Sequence, residues 1–255
     1  MKRKQLEPGA LTAPIPPVMV TVGDETDSNI LTIGWTGILA TVPPKTYISV
    51  RPSRHSFAML MEKREFVINL PTVSLAKEVD YVGIYTGAKV DKFEKCGFTK
   101  VKSNKVSAPT IGECPIALEC RVSEVIPMGS HHVFVADIVS VSATDEIIDK
   151  DGKLRFDKAD LLAYAHGEYY ALGEVVGRFG FSTDKRSKNK SGALKETRPK
   201  KAVQTTKDPK KSAPVTEKTE KNGSDSQEHE RPFYMNLPKS VKKKNPVPKK
   251  KGAKR

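Results

Sequence analysis

Apolar and polar positions first alternate with a period of two. Over residues 46–51, Ile48 and Val50 interleave with Tyr47, Ser49 and Arg51, the signature of a half-buried strand. The run Pro14-Ile-Pro-Pro-Val-Met-Val-Thr-Val22 predicts a strand entered through prolines, and Gly23-Asp24 supplies a turn. A second strand is predicted over residues 30–35. Residues 36–41 form a short, Gly-punctuated apolar stretch that Pro43-Pro44 stops.

The period then lengthens. Phe57, Leu60 and Met61 recur at i, i+3, i+4, which predicts a helix over 53–64 with Ser53 as its N-cap. Residues 65–70 return to strand and Pro71 ends it. A helix over 74–84 carries Leu75, Val79 and Val82 on one face, and a shorter piece over 90–95 ends at Gly97. Residues 115–126 and 131–143, rich in Val, Ile and Phe, flank Pro127-Met128-Gly129-Ser130 and predict a hairpin. Asp149-Lys-Asp-Gly152 is a further tight turn. About six or seven strands with two or three interposed helices make an α+β, mainly β domain, a barrel of antiparallel strands and not alternating βαβ units.

Charge divides the chain. Residues 183–255 hold 23 of the 44 Lys and Arg and 8 of the 30 Asp and Glu, a net +15 that leaves residues 1–182 at −1. The folded domain is therefore expected over 1–182, followed by a disordered Lys-rich tail over 183–255 that lacks the apolar area to offset chain entropy. A uniformly basic nucleic-acid-binding protein is excluded. Any binding of polyanions by the tail, densest at Lys242-Lys243-Lys244 and Lys249-Lys250-Lys251, should be nonspecific and salt-dependent.

The basic start Met1-Lys2-Arg3-Lys4 meets Glu7, Pro8 and Gly9 before any apolar run of signal length, so export is not expected. No stretch reaches the roughly 18 apolar residues of a membrane helix. Cys96, Cys114 and Cys120 form an odd set without CxxC spacing, as expected of thiols in a reducing cytoplasm.

Several chemistries are absent. Gly173, Gly177 and Gly180 lack dinucleotide-fingerprint spacing, and there is no GxxxxGK[ST], HExxH or GxSxG. Adjacent His131 and His132 point to opposite faces of a strand and cannot share a metal. What remains is cofactor chemistry without a nucleotide-binding loop of these kinds. The strongest local signal is Ser53-Arg54-His55-Ser56 between strand and helix. There two hydroxyls and two basic side chains meet the positive end of a helix, a credible phosphate cradle or simply a well-capped helix. Thr86-Gly87-x3-Asp91-Lys92-Phe93 adds a lysine and an acid after a glycine turn.

Taken in order, these pieces resemble a known family. They are Pro16-Pro17-Val18, Asn29-x2-Thr32-x2-Trp35, Pro43-Pro44, Arg51-x4-Ser56-Phe57 and Glu65-Phe-Val-Ile-Asn-Leu-Pro71. With them go Thr86-Gly87 and Asp91-Lys92-Phe93, Leu118-Glu119-Cys120 and Gly129-x-His131. Over residues 12 to about 181 the chain resembles the flavoredoxin branch of the flavin reductase-like, FMN-binding split-barrel family. The resemblance implies a six-stranded split barrel, a homodimer, and FMN near the subunit interface. It places Asn29 and Trp35 against the flavin and its ribityl chain, and the backbone of Thr36 and Gly37 at the ring edge. Ser56 and Lys92 would hold the phosphate or ribityl end, with Arg51 and Arg54 as further phosphate ligands, and His131 and Tyr164 would complete the pocket. As residues alone, Trp35 and Tyr164 read equally as core aromatics, and Asn29 and His131 as turn residues. The family often has Gly-Asp-His at the second hairpin and a glycine further on, where this chain has Gly129-Ser130-His131 and Ala136.

The implied function is a cytoplasmic FMN flavoprotein with no catalytic side chain of its own, the chemistry residing on the flavin. It would act as an NAD(P)H-dependent flavin reductase, with NADH or NADPH as donor, or as a flavoredoxin-like carrier served by a redox partner protein. The competing reading is a non-enzymatic dimeric scaffold whose basic tail tethers nucleic acid or an acidic partner.

Overall fold

Six consecutive residues of the first strand, β1 (Val18–Gly23), are buried, so both its faces are covered. The structure, a computed structural model, describes residues 1–183; the tail expected over 183–255 thus lies, but for its first residue, outside the described residues. After β1 come β2 (Ser28–Ile33), β3 (Thr36–Thr41), β4 (Pro44–Val50), α1 (Ser56–Lys63) and β5 (Glu65–Leu70). Next are α2 (Ala76–Ile84), α3 (Lys92–Cys96) and a small ribbon, β6 (Lys100–Val101) with β7 (Thr110–Ile111). The hairpin β8 (Ile116–Met128) and β9 (His131–Ala143) follows, then a second ribbon, β10 (Leu162–Ala165) with β11 (Glu168–Ala171). Residues 1–173 form one compact unit, and a second begins at Glu174 with one described 3-10 turn, Phe181–Thr183.

The main sheet has seven strands in the order β2-β1-β5-β8-β9-β4-β3, every neighbouring pair antiparallel. Laid flat, it would hold its end strands about 29 Å apart. Yet β2 ends at Ile33 and β3 begins at Thr36, so two residues, Gly34 and Trp35, join the two ends of the sheet. From Ile33 to Thr36 is three residue steps, at most about 11 Å. The sheet must roll up, and the corner Gly34-Trp35 marks where its ends meet.

The period-two pattern sorts the side chains. Val18, Val20 and Val22 of β1, Leu31 and Ile33 of β2, and Ile48 and Val50 of β4 face the barrel interior with Phe66, Ile68, Cys120 and Phe134. Met19 and Ile30 face outward beneath Val79 and Val82 of α2 and Phe93 of α3. Phe66 and Phe134 are fully buried, and truncating either to Ala should cost about 3–5 kcal/mol.

The predicted helix over 53–64 begins only at Ser56, and Ser53 is not its cap. Arg54 N–H bonds Arg51 O at 3.0 Å and Phe57 N–H bonds Arg54 O at 2.9 Å. These tight turns use up residues 51–55, and the N-cap position falls to His55 in helical geometry without a side-chain cap. The next short helix starts at Lys92, two residues later than expected, because Asp91 caps it. Asp91 Oδ1 accepts from Phe93 N at 2.9 Å and Glu94 N at 3.1 Å, and Gly97, at φ 67°, closes it. Both small ribbons are absent from the sequence reading, and the resemblance implies six barrel strands where the sheet has seven. Among the described residues no helix is long and apolar enough to cross a membrane.

Candidate functional site

Six of the sequence-predicted residues converge where β4 turns into α1. Ser56, the first residue of α1, is buried, and its Oγ accepts from Asn29 Nδ2 of β2 at 2.7 Å. Beside them the Lys92 side chain, 4% exposed, runs inward and donates from Nζ to Ile30 O at 2.7 Å and Val82 O at 2.8 Å. An ammonium has three protons, so this anchoring leaves one for a ligand. Gly87 closes the cluster: a Cβ there would lie 2.3–2.6 Å from the Asn29 side-chain amide.

Arg54 acts electrostatically on both Lys92 and His131. Burial, and secondarily the Arg54 charge, bring Lys92 down to about 8 against an ordinary 10.5, only partly opposed by the Cys96 thiol. Burial, then Arg51 and Arg54, likewise hold His131 below its usual value. His131 pairs across the hairpin with Met128, and its Nδ1 lies 2.9 Å from Ser130 Oγ. Its neighbour His132 takes the other side of the strand, its ring edge-on to Phe57 with centroids 5.0 Å apart. Basic groups from the β4–α1 turn (Arg51 and Arg54), the start of α3 (Lys92) and the start of β9 (His131) thus meet in one place, where their mutual repulsion is relieved by an anion. The buried Ser56 hydroxyl, held by Asn29, and the cationic donors fit a phosphate.

The other predicted residues stand at the opposite end of β2. Trp35 is half-buried at the corner and its carbonyl accepts from Ser49 N at 2.9 Å. Thr36 Oγ1 donates to Tyr47 O at 2.6 Å, and a Cβ on Gly37 would meet the Tyr47 ring at 3.3 Å. Tyr164 of β10 exchanges backbone hydrogen bonds with Ile15, whose Cδ1 would lie 2.7 Å from a Cβ on Gly34, and its ring meets Tyr169 edge-on. Ser49, bonded to Trp35, lies two residues before Arg51, so the aromatic corner adjoins the cationic turn along β4. The site therefore has a cationic end and an aromatic corner. The Ile15–Tyr164 pairing and the Asn29–Ser56 bond escape sequence reading, because each depends on contacts between segments remote in the chain.

A family model for the flavin reductase like domain matches residues 11–173. An uncharacterised protein of Archaeoglobus fulgidus is 38% identical over 125 residues, 49% of this chain and 70% of its own. The solved structure of flavoredoxin of Desulfovibrio vulgaris matches with a TM-score of 0.67 at 30% identity, covering 71% of this chain and 100% of its own. That of flavoredoxin from Methanosarcina acetivorans matches at 0.66 and 25% identity, covering 72% and 98%. The rolled, mainly β sheet with its few short helices is the flavin reductase-like split barrel, and the chain belongs to the flavin reductase like domain family.

Proposed function

We propose that this protein binds FMN and serves as a flavin-dependent oxidoreductase, passing electrons through the bound ring. The observation that carries this reading is the gathering of Arg54, Lys92 and His131 around a buried hydroxyl, a site of mutual repulsion without an anion. Ser56, Lys92, Arg54 and Arg51 would hold the phosphate, and Asn29 the adjoining ribityl chain. Trp35, with the backbone of Thr36 and Gly37, would border the ring, and His131 and Tyr164 would complete the pocket. Bound flavin supplies the redox chemistry, accepting and releasing a hydride or single electrons. The chain's own part is to bind, orient and shield it.

The finer reading is reduction of FMN by NADH or NADPH, with carriage of electrons from a protein donor as its counterpart. A homodimer accompanies it. Strand β3, at one end of the sheet order, exposes Ile38 and Leu39, with Val42 exposed just after it, beside the Trp35–Gly37 corner, where a second subunit would cover both edge and ring. Cytoplasmic location and a polyanion-binding tail belong to the same proposal.

The test is to titrate the purified full chain with FMN and riboflavin by fluorescence, then add NADH or NADPH anaerobically. Preference for FMN with bleaching of flavin absorbance supports the reductase. Binding with no bleaching by either nucleotide points to the carrier. Equal affinity for the two flavins overturns the phosphate assignment, and no flavin binding overturns the whole reading.

A further inference from the structure

We infer that Gly87 is a positioning residue that sets the preference for a phosphorylated ligand, by leaving room for Asn29 to orient the Ser56 hydroxyl. The inference rests on the FMN reading above and names a residue to which that reading gives no role.

A serine hydroxyl has one proton and two lone pairs, and its proton turns toward whatever accepts it. Ser56 Oγ accepts the Asn29 amide proton at 2.7 Å in a buried setting, so one lone pair is occupied from the β2 side. Its own proton must point away from that amide. Asn29 thereby makes Ser56 a donor directed outward, the polarity that a phosphate oxygen requires. Were position 29 an acceptor, Ser56 would spend its proton inside the protein.

Asn29 holds this position because the loop after α2 presses on it. A Cβ at residue 87 would stand 2.3 Å from Asn29 Oδ1, 2.5 Å from Cγ and 2.6 Å from Nδ2. All three distances are shorter than real Cβ contacts, and the obstacle is a short, buried, hydrogen-bonded amide with few ways to retreat. Gly87 does not need positive-φ freedom, since it lies outside that region, unlike Gly97 and Gly129, both at φ 67°. The requirement is space. An alanine is compatible with the backbone and would displace the amide from Ser56. Lys92 would keep its carbonyl anchors and Arg54 its place, so both flavins would lose the Asn29 contact to the ribityl chain and FMN alone the Ser56 donor.

The experiment is a double-mutant cycle on the full chain, measuring FMN and riboflavin dissociation constants by fluorescence, with thermal melting alongside. Gly87→Ala should lower the FMN-over-riboflavin preference by about tenfold, the share of one charge-assisted hydrogen bond, while riboflavin binding persists. Asn29→Ala alone should lower it similarly. In the Asn29→Ala background, Gly87→Ala should add nothing. An unchanged preference in Gly87→Ala overturns the inference, as does an equal further loss in the Asn29→Ala background. If Gly87→Ala does not fold, Asn29→Ala alone decides: an unchanged preference there overturns the orientation of Ser56. Wild-type protein without any FMN preference would instead overturn the phosphate reading itself.

Discussion

Lys92 donates from its ammonium to the carbonyl of Ile30 at 2.7 Å, fixing α3 to β2 through a buried cation. The second anchor, Val82 O, ties the same nitrogen to α2. A charge so enclosed stabilises its surroundings only while it keeps acceptors, and its proton is held less tightly than in water.

The first prediction concerns pH. Folding lowers the Lys92 value from 10.5 to about 8, so between those limits the unfolded chain binds the extra proton. Stability from this group therefore rises with pH from about 8 to 10.5. FMN affinity should move the other way, falling as pH rises through about 8, because the cation facing the phosphate is lost. Riboflavin affinity should stay flat across the same range. Flavin titrations between pH 7 and 9.5 check both, and Lys92→Met should remove the FMN dependence.

The second prediction isolates the hydroxyl. Ser56→Ala removes one charge-assisted hydrogen bond, about 1.5–3 kcal/mol, so FMN should bind about 10- to 100-fold more weakly with riboflavin little changed. Parallel loss of both flavins would mean that Ser56 supports the pocket and not the phosphate.

The third prediction opposes stability and binding. Arg54 lowers the proton affinity of both Lys92 and His131, so Arg54→Gln should relieve repulsion in the ligand-free protein. A partly exposed charge is screened, and the gain should stay below about 1 kcal/mol, or about 2–4 °C in Tm. FMN affinity should fall in the same variant. A lower Tm without ligand would show Arg54 to be held by favourable contacts instead.

Much of this was legible in the sequence because it is local. Glu65–Leu70 is a strand with the predicted bounds, flanked by a helix end and Pro71. Gly97 ends the short helix where expected, whereas its start, set by the Asp91 cap, falls two residues later than read. The convergence of Ser56, Lys92 and His131 followed from the resemblance, not from periodicity. Less visible were features made by chain crossings: the 3-10 turns that displaced Ser53 as a cap, the Ile15–Tyr164 bridge, and the Asn29–Ser56 bond. Asn29 and Ser56 lie 27 residues apart, and no spacing rule links a strand's first turn to a helix start across a rolled sheet.

The fourth prediction follows the thiols. Burial pushes Cys120 up to about 12 and Cys114 higher still, with Glu119 and Glu113 adding to it. Cys96 is half-buried, and burial raises it too, with Glu78 adding and Lys92 and Lys95 opposing. An aromatic disulfide reagent at pH 8 should find at most one slow thiol in the native protein, lost in Cys96→Ser, and all three in denaturant. Two fast native thiols would contradict the burial of Cys114 and Cys120.

The last prediction turns on Glu119, a carboxylate only 1% exposed on β8. It accepts from Asn104 N at 3.0 Å and Lys105 N at 2.6 Å, while Arg121 two residues on donates to Lys105 O at 2.8 Å. Together they fasten the loop that carries Pro109, whose carbonyl takes the Thr21 hydroxyl at 2.5 Å. Glu119→Ala leaves two amide donors without their acceptor and opens a void beside Val67, Ala108 and Ala117. Each unsatisfied donor costs about 1–3 kcal/mol, so a loss of roughly 2–6 kcal/mol is expected. For a domain of this size that is a fall of about 5–15 °C in Tm. Glu119→Gln keeps one acceptor oxygen and should recover about half. If the alanine variant melts with the wild type, water has replaced the carboxylate, and the loop is not fastened to β8 through this side chain.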